Sequence, residues 1–371
     1  MLLNILSIAN FFSSTGSFLL KLFLLIFILG IIILIHELGH FLWAKAFKVH
    51  IYEFSIGMGP LIYTHKGKKD KIDYNIRAIP IGGFVSMAGE VYADDDKIPK
   101  EKLMCNRPWY QRFMILFAGV MNNFLSAILL LIVYGSIWGG GAIKPEINTV
   151  LENSAAQKAG IKANDTILAI NDYKVGSWDK AQIILQYKNP NDYYTFEIKR
   201  ENGGRETIKV IPEVVVNEET GAETRVFGIS IKQADTSNFF KVIGYGFQKF
   251  ASVVSSMSAT ISGLFTGKIN LSALSGPVGM YEVVGASLSY SFSDAFQYIV
   301  YIIAFLSINV GFINILPFPA FDGGHLLFLV IEKIKGSPVN AKFENICHLI
   351  GFALIFLLMI IVTINDIIKL F

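Results

Sequence analysis

Four segments of this chain are long and apolar enough to cross a lipid bilayer, and that constrains the fold more than anything else in it. They run over about residues 18–44, 113–137, 296–316 and 346–364, with a continuation of the third toward Ile331 left open. Each approaches or exceeds the ~20 residues that a helix needs to cross a ~30 Å hydrocarbon core. Backbone polar groups find no water at that depth, so such segments are expected to be helical. Composition agrees: hydrophobic residues make up 53% and charged residues 16%, against about 25% charged in a typical soluble protein. The first stretch has no basic region before it and no small-residue cleavage site after it, so it reads as an uncleaved span rather than a signal peptide. The fold class expected is a polytopic α-helical membrane protein with four spans.

Charge then orients the spans. Lysine and arginine crowd the loop between spans one and two (Lys45, Lys48, Lys66, Lys68, Lys69, Lys71, Arg77, Lys97, Lys100, Lys102, Arg107 and Arg112), and Lys333, Lys335 and Lys342 follow span three. The positive-inside rule puts both loops in the cytoplasm. Both termini and the long segment 139–294 then face outward. The net charge of +3 is too small to argue for nucleic acid. Cys105 and Cys347 lack a CxxC partner and fall near the cytoplasmic side, so neither a disulfide nor a thiolate metal site is expected.

Outside the spans, apolar residues alternate over Tyr52–Thr64 and Ile72–Met87, broken by Gly57, Gly59, Gly82 and Gly83. This predicts a β-rich cytoplasmic loop over 45–112. Its segment IPIGGFVSMAGE is apolar for a loop and is expected to dip toward the membrane. Residues 144–232 read as an outward soluble domain of strands with one or two helices. Residues 235–295 read as a surface amphipathic helix, over 239–265, and a linker. The membrane parts are then 1–138 and 296–371.

The chemistry concentrates in His36-Glu37-Leu38-Gly39-His40, at the inner end of span one. Positions i and i+4 share a helix face, so both imidazoles can reach one metal ion. Glu37 can act as general base beside it. An ionisable side chain costs about 2.5–3.5 kcal/mol at the centre of a membrane helix, so such residues are rarely there without a task. A catalytic zinc takes three protein ligands. Asp322, in LPFPAFDGGH after span three, can supply the third, with His325 as its rival. Pro317 and Pro319 break the helix there, and Gly323 and Gly324 allow close backbone approach. Asn314, an amide in the same apolar run, can hold a substrate carbonyl or an oxyanion, or bond between helices.

At these residues the chain resembles the site-2 protease family of intramembrane metalloproteases, in its bacterial RseP/RasP branch. HELGH resembles that family's zinc helix, and NILPFPAFDGGH its NxxPxPxLDG motif, with Phe321 in place of Leu. ENSAAQKAGIKANDTILAINDYKV resembles a bacterial PDZ pattern, with Ala155 and Asn164 where Pro and Gly are common, and Phe227-Gly228-Ile229 resembles its closing strand. Ser275-Gly276-Pro277-Val278-Gly279 resembles the family's turn before span three, and Ile81-Gly82-Gly83-Phe84-Val85 its membrane-associated hairpin. The resemblance implies His36, His40 and Asp322 as Zn2+ ligands, Glu37 as catalytic acid/base and Asn314 as stabiliser of substrate or intermediate. It implies that Gly82, Gly83, Phe84, Val85, Ser86 and Met87 bind substrate as an added strand. It also implies a multi-pass protein of the bacterial cell (inner) membrane, in contact with lipid. Its PDZ domain would lie outside the cytoplasm, as a size filter or binding a peptide C-terminus, and its active site near the cytoplasmic face. The substrates implied are single-span membrane proteins, such as anti-sigma factors or signal-peptide remnants, whose outer part has already been trimmed.

Two other classes compete. A divalent-metal transporter would scatter polar residues along several spans, whereas here they sit at one depth. A PDZ scaffold would have no use for Glu37.

Overall fold

The computed structural model describes residues 2–68, 71–90, 98–187, 189, 191–216 and 223–369; Lys69 and Lys97 of the basic loop lie outside them. In chain order the elements begin with α1 (Leu2–Ala46), β1 (Ile51–Lys66), β2 (Asp73–Met87) and α2 (Trp109–Trp138). Next come β3 (Ala142–Val150), α3 (Ala155–Lys158), β4 (Thr166–Ile170), β5 (Tyr173–Lys174) and α4 (Trp178–Leu185). These lead to β6 (Tyr194–Lys199), β7 (Arg205–Val210), β8 (Glu213–Val216), β9 (Glu223–Val226) and β10 (Ile229–Gln233). The chain closes with α5 (Phe239–Phe265), α6 (Pro277–Gly285), α7 (Phe292–Ile315), α8 (Asp322–Lys335) and α9 (Ala341–Ile368). It divides into two compact units, one of Met1–Ala127 with Leu274–Phe371 and one of Ile128–Ala273.

Among the described residues four helices are long and apolar enough to cross a membrane: Gly16–Ala46, Trp109–Trp138, Phe292–Ile315 and Ala341–Ile368. They coincide with the four apolar runs of the sequence. The third does not continue toward Ile331. Pro317 and Pro319 end it, and α8 begins afresh at Asp322. The fourth starts at Ala341, earlier than its apolar run, because the Asn340 side chain accepts from Lys342 N and Phe343 N and caps the polar first turn.

In the first unit α1 packs Leu25, Ile28 and Ile32 against Val284 of α6 and Ile302 of α7. A second cluster joins Phe41 and Ala44 of α1 to Ile51 and Phe54 of β1, Val85 and Met87 of β2, and Ile115 of α2. β1 and β2 are each bent, and together make a four-segment sheet in the order 63–66, 73–76, 53–56, 83–86. Residues 53–56 pair on one side with 83–86 and on the other with 73–76, and 73–76 pair again with 63–66. The 83–87 segment is therefore an edge. Its approach runs beside α1: a Cβ at Gly30 would lie 3.1 Å from Pro80 O, and one at Gly82 3.4 Å from Ile33 Cγ2. Met58, Leu61, Ile62 and Ile79, near the bends, are exposed apolar side chains.

The second unit holds a six-stranded sheet of order β10-β3-β4-β6-β7, with β5 on β4, and a separate β8-β9 hairpin. Ile147, Ile167, Ile170, Ala181, Ile184, Phe196, Ile198 and Phe227 form its core. α5 packs against α4 within this unit. Asp179 of α4 meets Lys249 Nζ at 2.7 Å, and Tyr187 Oη donates to Ala259 O at 2.7 Å. A Cβ at Gly246 would fall 2.5 Å from Ile132 Cγ1. The linker expected after it contains α6, whose first turn carries Pro277 at a position that needs no N–H.

Candidate metal centre

The site begins where α1 and α2 cross. A Cβ at Gly39 would stand 2.3 Å from Ala118 O, so two small residues let the backbones approach. That closeness sets the His36 and His40 rings, one helical turn apart and both buried, against α2.

Asp322 arrives from the other end of the chain. After α7 the backbone turns through Ala320, a non-glycine residue at φ 93°. α8 then starts so tightly that a Cβ at Gly323 would lie 2.1 Å from Leu316 O. The first residue of α8 thereby meets both imidazoles: Asp322 Oδ2 is 2.9 Å from His36 Nε2 and 3.3 Å from His40 Nε2. The two Nε2 atoms are 3.2 Å apart.

These three separations suit one zinc ion. Tetrahedral ligands at 2.0–2.1 Å from zinc are about 3.3 Å from one another. Two further observations fit. Asp322 Oδ2 is buried with no hydrogen-bond donor of its own. A Cβ at Gly119 would fall 2.4 Å from His40 Nε2 and 2.6 Å from His36 Nε2, so the glycine keeps open the space the nitrogens face.

Around these three side chains lies a second layer of bonds. His40 Nδ1 is 2.8 Å from Ile115 O, and His36 Nδ1 is 3.2 Å from Asn123 Nδ2. Asn122 Nδ2 donates to Ile35 O at 3.2 Å. α8 is tied to the start of α2 by Arg112–Glu332 at 2.7 Å and by Trp109 Nε1 donating to Leu329 O at 3.2 Å.

Glu37 is half-buried, and among the described residues its carboxylate has no hydrogen-bond or ion-pair partner, which leaves it able to accept a proton. Asn314 lies half-buried on α7 and makes no hydrogen bond to His36, His40 or Asp322. Gly83 to Met87 occupy the edge of the β1–β2 sheet, and Gly82 leads into it. Cys105 and Cys347 are not joined in a disulfide.

His325 belongs to a different group. With Glu344 and His348 it places three ligand-type atoms within 4.8 Å of one another. The two rings stack at 3.9 Å and 19°, so their in-plane lone pairs run side by side instead of converging. His348 Nδ1 accepts from Ala320 N at 3.0 Å, and His325 Nδ1 lies 3.3 Å from Glu344 Oε1. This group ties the turn before Asp322, and α8 itself, to α9.

Asn123, Gly119 and Ile115 are the residues that sequence reasoning passes over. One signal for them was on view: Asn122-Asn123 puts two consecutive amides inside an otherwise apolar span, where a polar side chain normally has a partner.

Comparison with known proteins adds a second, independent line. Residues 24–358 match the family described as Peptidase family M50. A Clostridium acetobutylicum protein that carries a zinc-metalloprotease name is 35% identical, over 91% of this chain and 95% of its own. The regulator of sigma-W protease RasP of Bacillus subtilis is 31% identical, over 93% of this chain and 98% of its own. The zinc metalloprotease RasP of Shouchella clausii is 30% identical, over 93% and 98%.

Proposed function

The chain belongs to peptidase family M50 and is a zinc-dependent membrane protease of the kind that performs regulated intramembrane proteolysis, and from that premise we propose that His36, His40 and Asp322 hold its zinc and that Glu37 is its general base and acid. The observation that carries this reading is the convergence of Asp322 Oδ2 on both Nε2 atoms, at 2.9 and 3.3 Å, from a helix at the far end of the sequence. Zinc, when bound, supplies a Lewis acid for the peptide carbonyl.

The chain's own residues do the rest. Glu37 takes a proton from the attacking water and returns it to the leaving amine. A helical substrate hides its carbonyls and has to be drawn out before it can be cut. Among the described residues the 83–87 edge pairs only with β1, and it offers its other side to an extended peptide by β-addition. The exposed apolar side chains of this sheet, Met58, Leu61, Ile62 and Ile79, support its contact with lipid. Asn314 orients the substrate carbonyl as the peptide passes α7. The six-stranded sheet with α3 and α4, over 144–232, is a PDZ domain outside the cytoplasm that sizes substrates or docks a new C-terminus. Both termini share its side, and the metal centre lies toward the cytoplasmic face, next to the basic loop. The substrates are single-span membrane proteins already trimmed outside, anti-sigma factors and signal-peptide remnants among them.

Glu37→Gln tests this. Co-expressed with candidate single-span proteins, the variant is expected to leave a membrane-bound fragment uncut, with turnover lowered about 10²–10⁴-fold, while zinc content stays native. Unchanged turnover would sink the reading.

A further inference from the structure

Two imidazoles that bind zinc through Nε2 must each keep their proton on Nδ1, and whatever faces Nδ1 decides whether they do. For His40 the matter is settled by backbone: Ile115 O, 2.8 Å from Nδ1, can only accept. His36 faces the Asn123 amide at 3.2 Å, and an amide has two ends. In the structure the Nδ2 end faces the ring, and Asn123 Oδ1 is left buried with no partner. Asn123 is 0% exposed, and α7 closes over it: a Cβ at Gly311 would lie 3.4 Å from Asn123 Cβ.

Each amide orientation belongs to a different protonation pattern. With Nδ2–H donating to His36 Nδ1, the ring proton sits on Nε2, which lies 2.9 Å from Asp322 Oδ2. In that pattern His36 has no lone pair for a metal. With the amide turned by 180°, Oδ1 accepts from Nδ1–H, the buried oxygen gains its partner, and the Nε2 lone pair faces the space beside Gly119.

We propose that Asn123 is a positioning residue that selects the His36 tautomer, its side-chain carbonyl accepting from Nδ1–H when zinc is held. The inference rests on the assignment of His36 as a zinc ligand. Asn122 makes a different bond, to Ile35 O, and does not face a ligand.

The test uses full-length protein in detergent, with zinc affinity read by competition against a chromophoric chelator, independently of turnover. Asn123→Asp keeps the acceptor and the size, and is expected to hold zinc at least as tightly as the native protein. Asn123→Leu keeps the size and removes the acceptor, and is expected to loosen zinc about 10–100-fold. Loosening by Asn123→Asp, or native affinity in Asn123→Leu, would overturn the proposal. If Asn123→Leu does not fold, Asn123→Asp decides alone. His36→Ala is run beside them. If it retains native zinc affinity, the ligand assignment has failed. If it loses zinc while Asn123→Leu does not, only the role of Asn123 has failed.

Discussion

Gly119 faces His40 so closely that a Cβ added to it would stand 2.4 Å from Nε2, nearer than any real Cβ contact. The obstruction falls on the side of the ring where a ligand's lone pair is used. Gly119→Ala is therefore expected to weaken zinc binding by at least about 100-fold, since misplacement by an ångström is enough to disable a constellation of this kind. Chelator competition on the purified chain would show it. Gly16→Ala, where a Cβ meets nothing within 4 Å, serves as the control and should bind zinc natively.

Ala320, at φ 93°, holds a backbone conformation that an L-residue adopts only under strain. Its N–H is kept in place by His348 Nδ1 at 3.0 Å. Replacing Ala320 by Gly should relieve the strain and raise stability by about 1 kcal/mol. Replacing His348 by Phe should cost about 1 kcal/mol through the lost bond. Thermal unfolding in detergent reads both changes, and a lower melting temperature for Ala320→Gly would contradict the first.

Lys249 is 5% exposed and is paired with Asp179, whose carboxylate also accepts from Ser252 Oγ. Removing one member strands the other charge. Lys249→Met alone is expected to destabilise the Ile128–Ala273 unit by about 3–5 kcal/mol, and Asp179→Leu with Lys249→Met to recover most of that. Denaturant titration of the two variants of the full chain separates a stranded charge from a lost attraction: equal losses would mean that the attraction was what mattered.

Asp366 is buried near the end of α9, and its Oδ2 accepts from Gly276 N, at the N-cap of α6, at 2.7 Å and from Gly279 N, in its first turn, at 2.9 Å. Asp366→Ala leaves both donors without a partner, at about 1–3 kcal/mol each. Asp366→Asn keeps an acceptor but loses the charge at the helix start, at about 1 kcal/mol. The melting temperatures should rank native, Asn, Ala.

Much of this molecule was legible in the sequence because hydrocarbon imposes a length. The spans of α1, α2, α7 and α9 follow from apolar runs, and the i, i+4 pair of His36 and His40 follows from helix geometry. What could not be read lies in relations between distant segments. The amides Asn122 and Asn123 stand out in their apolar span, but what they meet is on another helix. The sheet of β1 and β2 pairs residues 53–56 with two different segments, which alternation alone cannot distinguish from a simple hairpin. The end of α7 was marked by Pro317 and Pro319. That α8 turns back to bring Asp322 to α1 depends on Gly323 meeting Leu316 O, a contact with no periodic signature.

The three side chains that meet at the candidate metal centre come from far apart in the chain: two from the helix of the first candidate span, one from beyond the third. A chain truncated anywhere before Asp322 has a pair of imidazoles and lacks the carboxylate that meets them. On the proposed ligand set, ion capture waits until α8 has been made and folded back onto α1, and zinc content serves as a readout of that step.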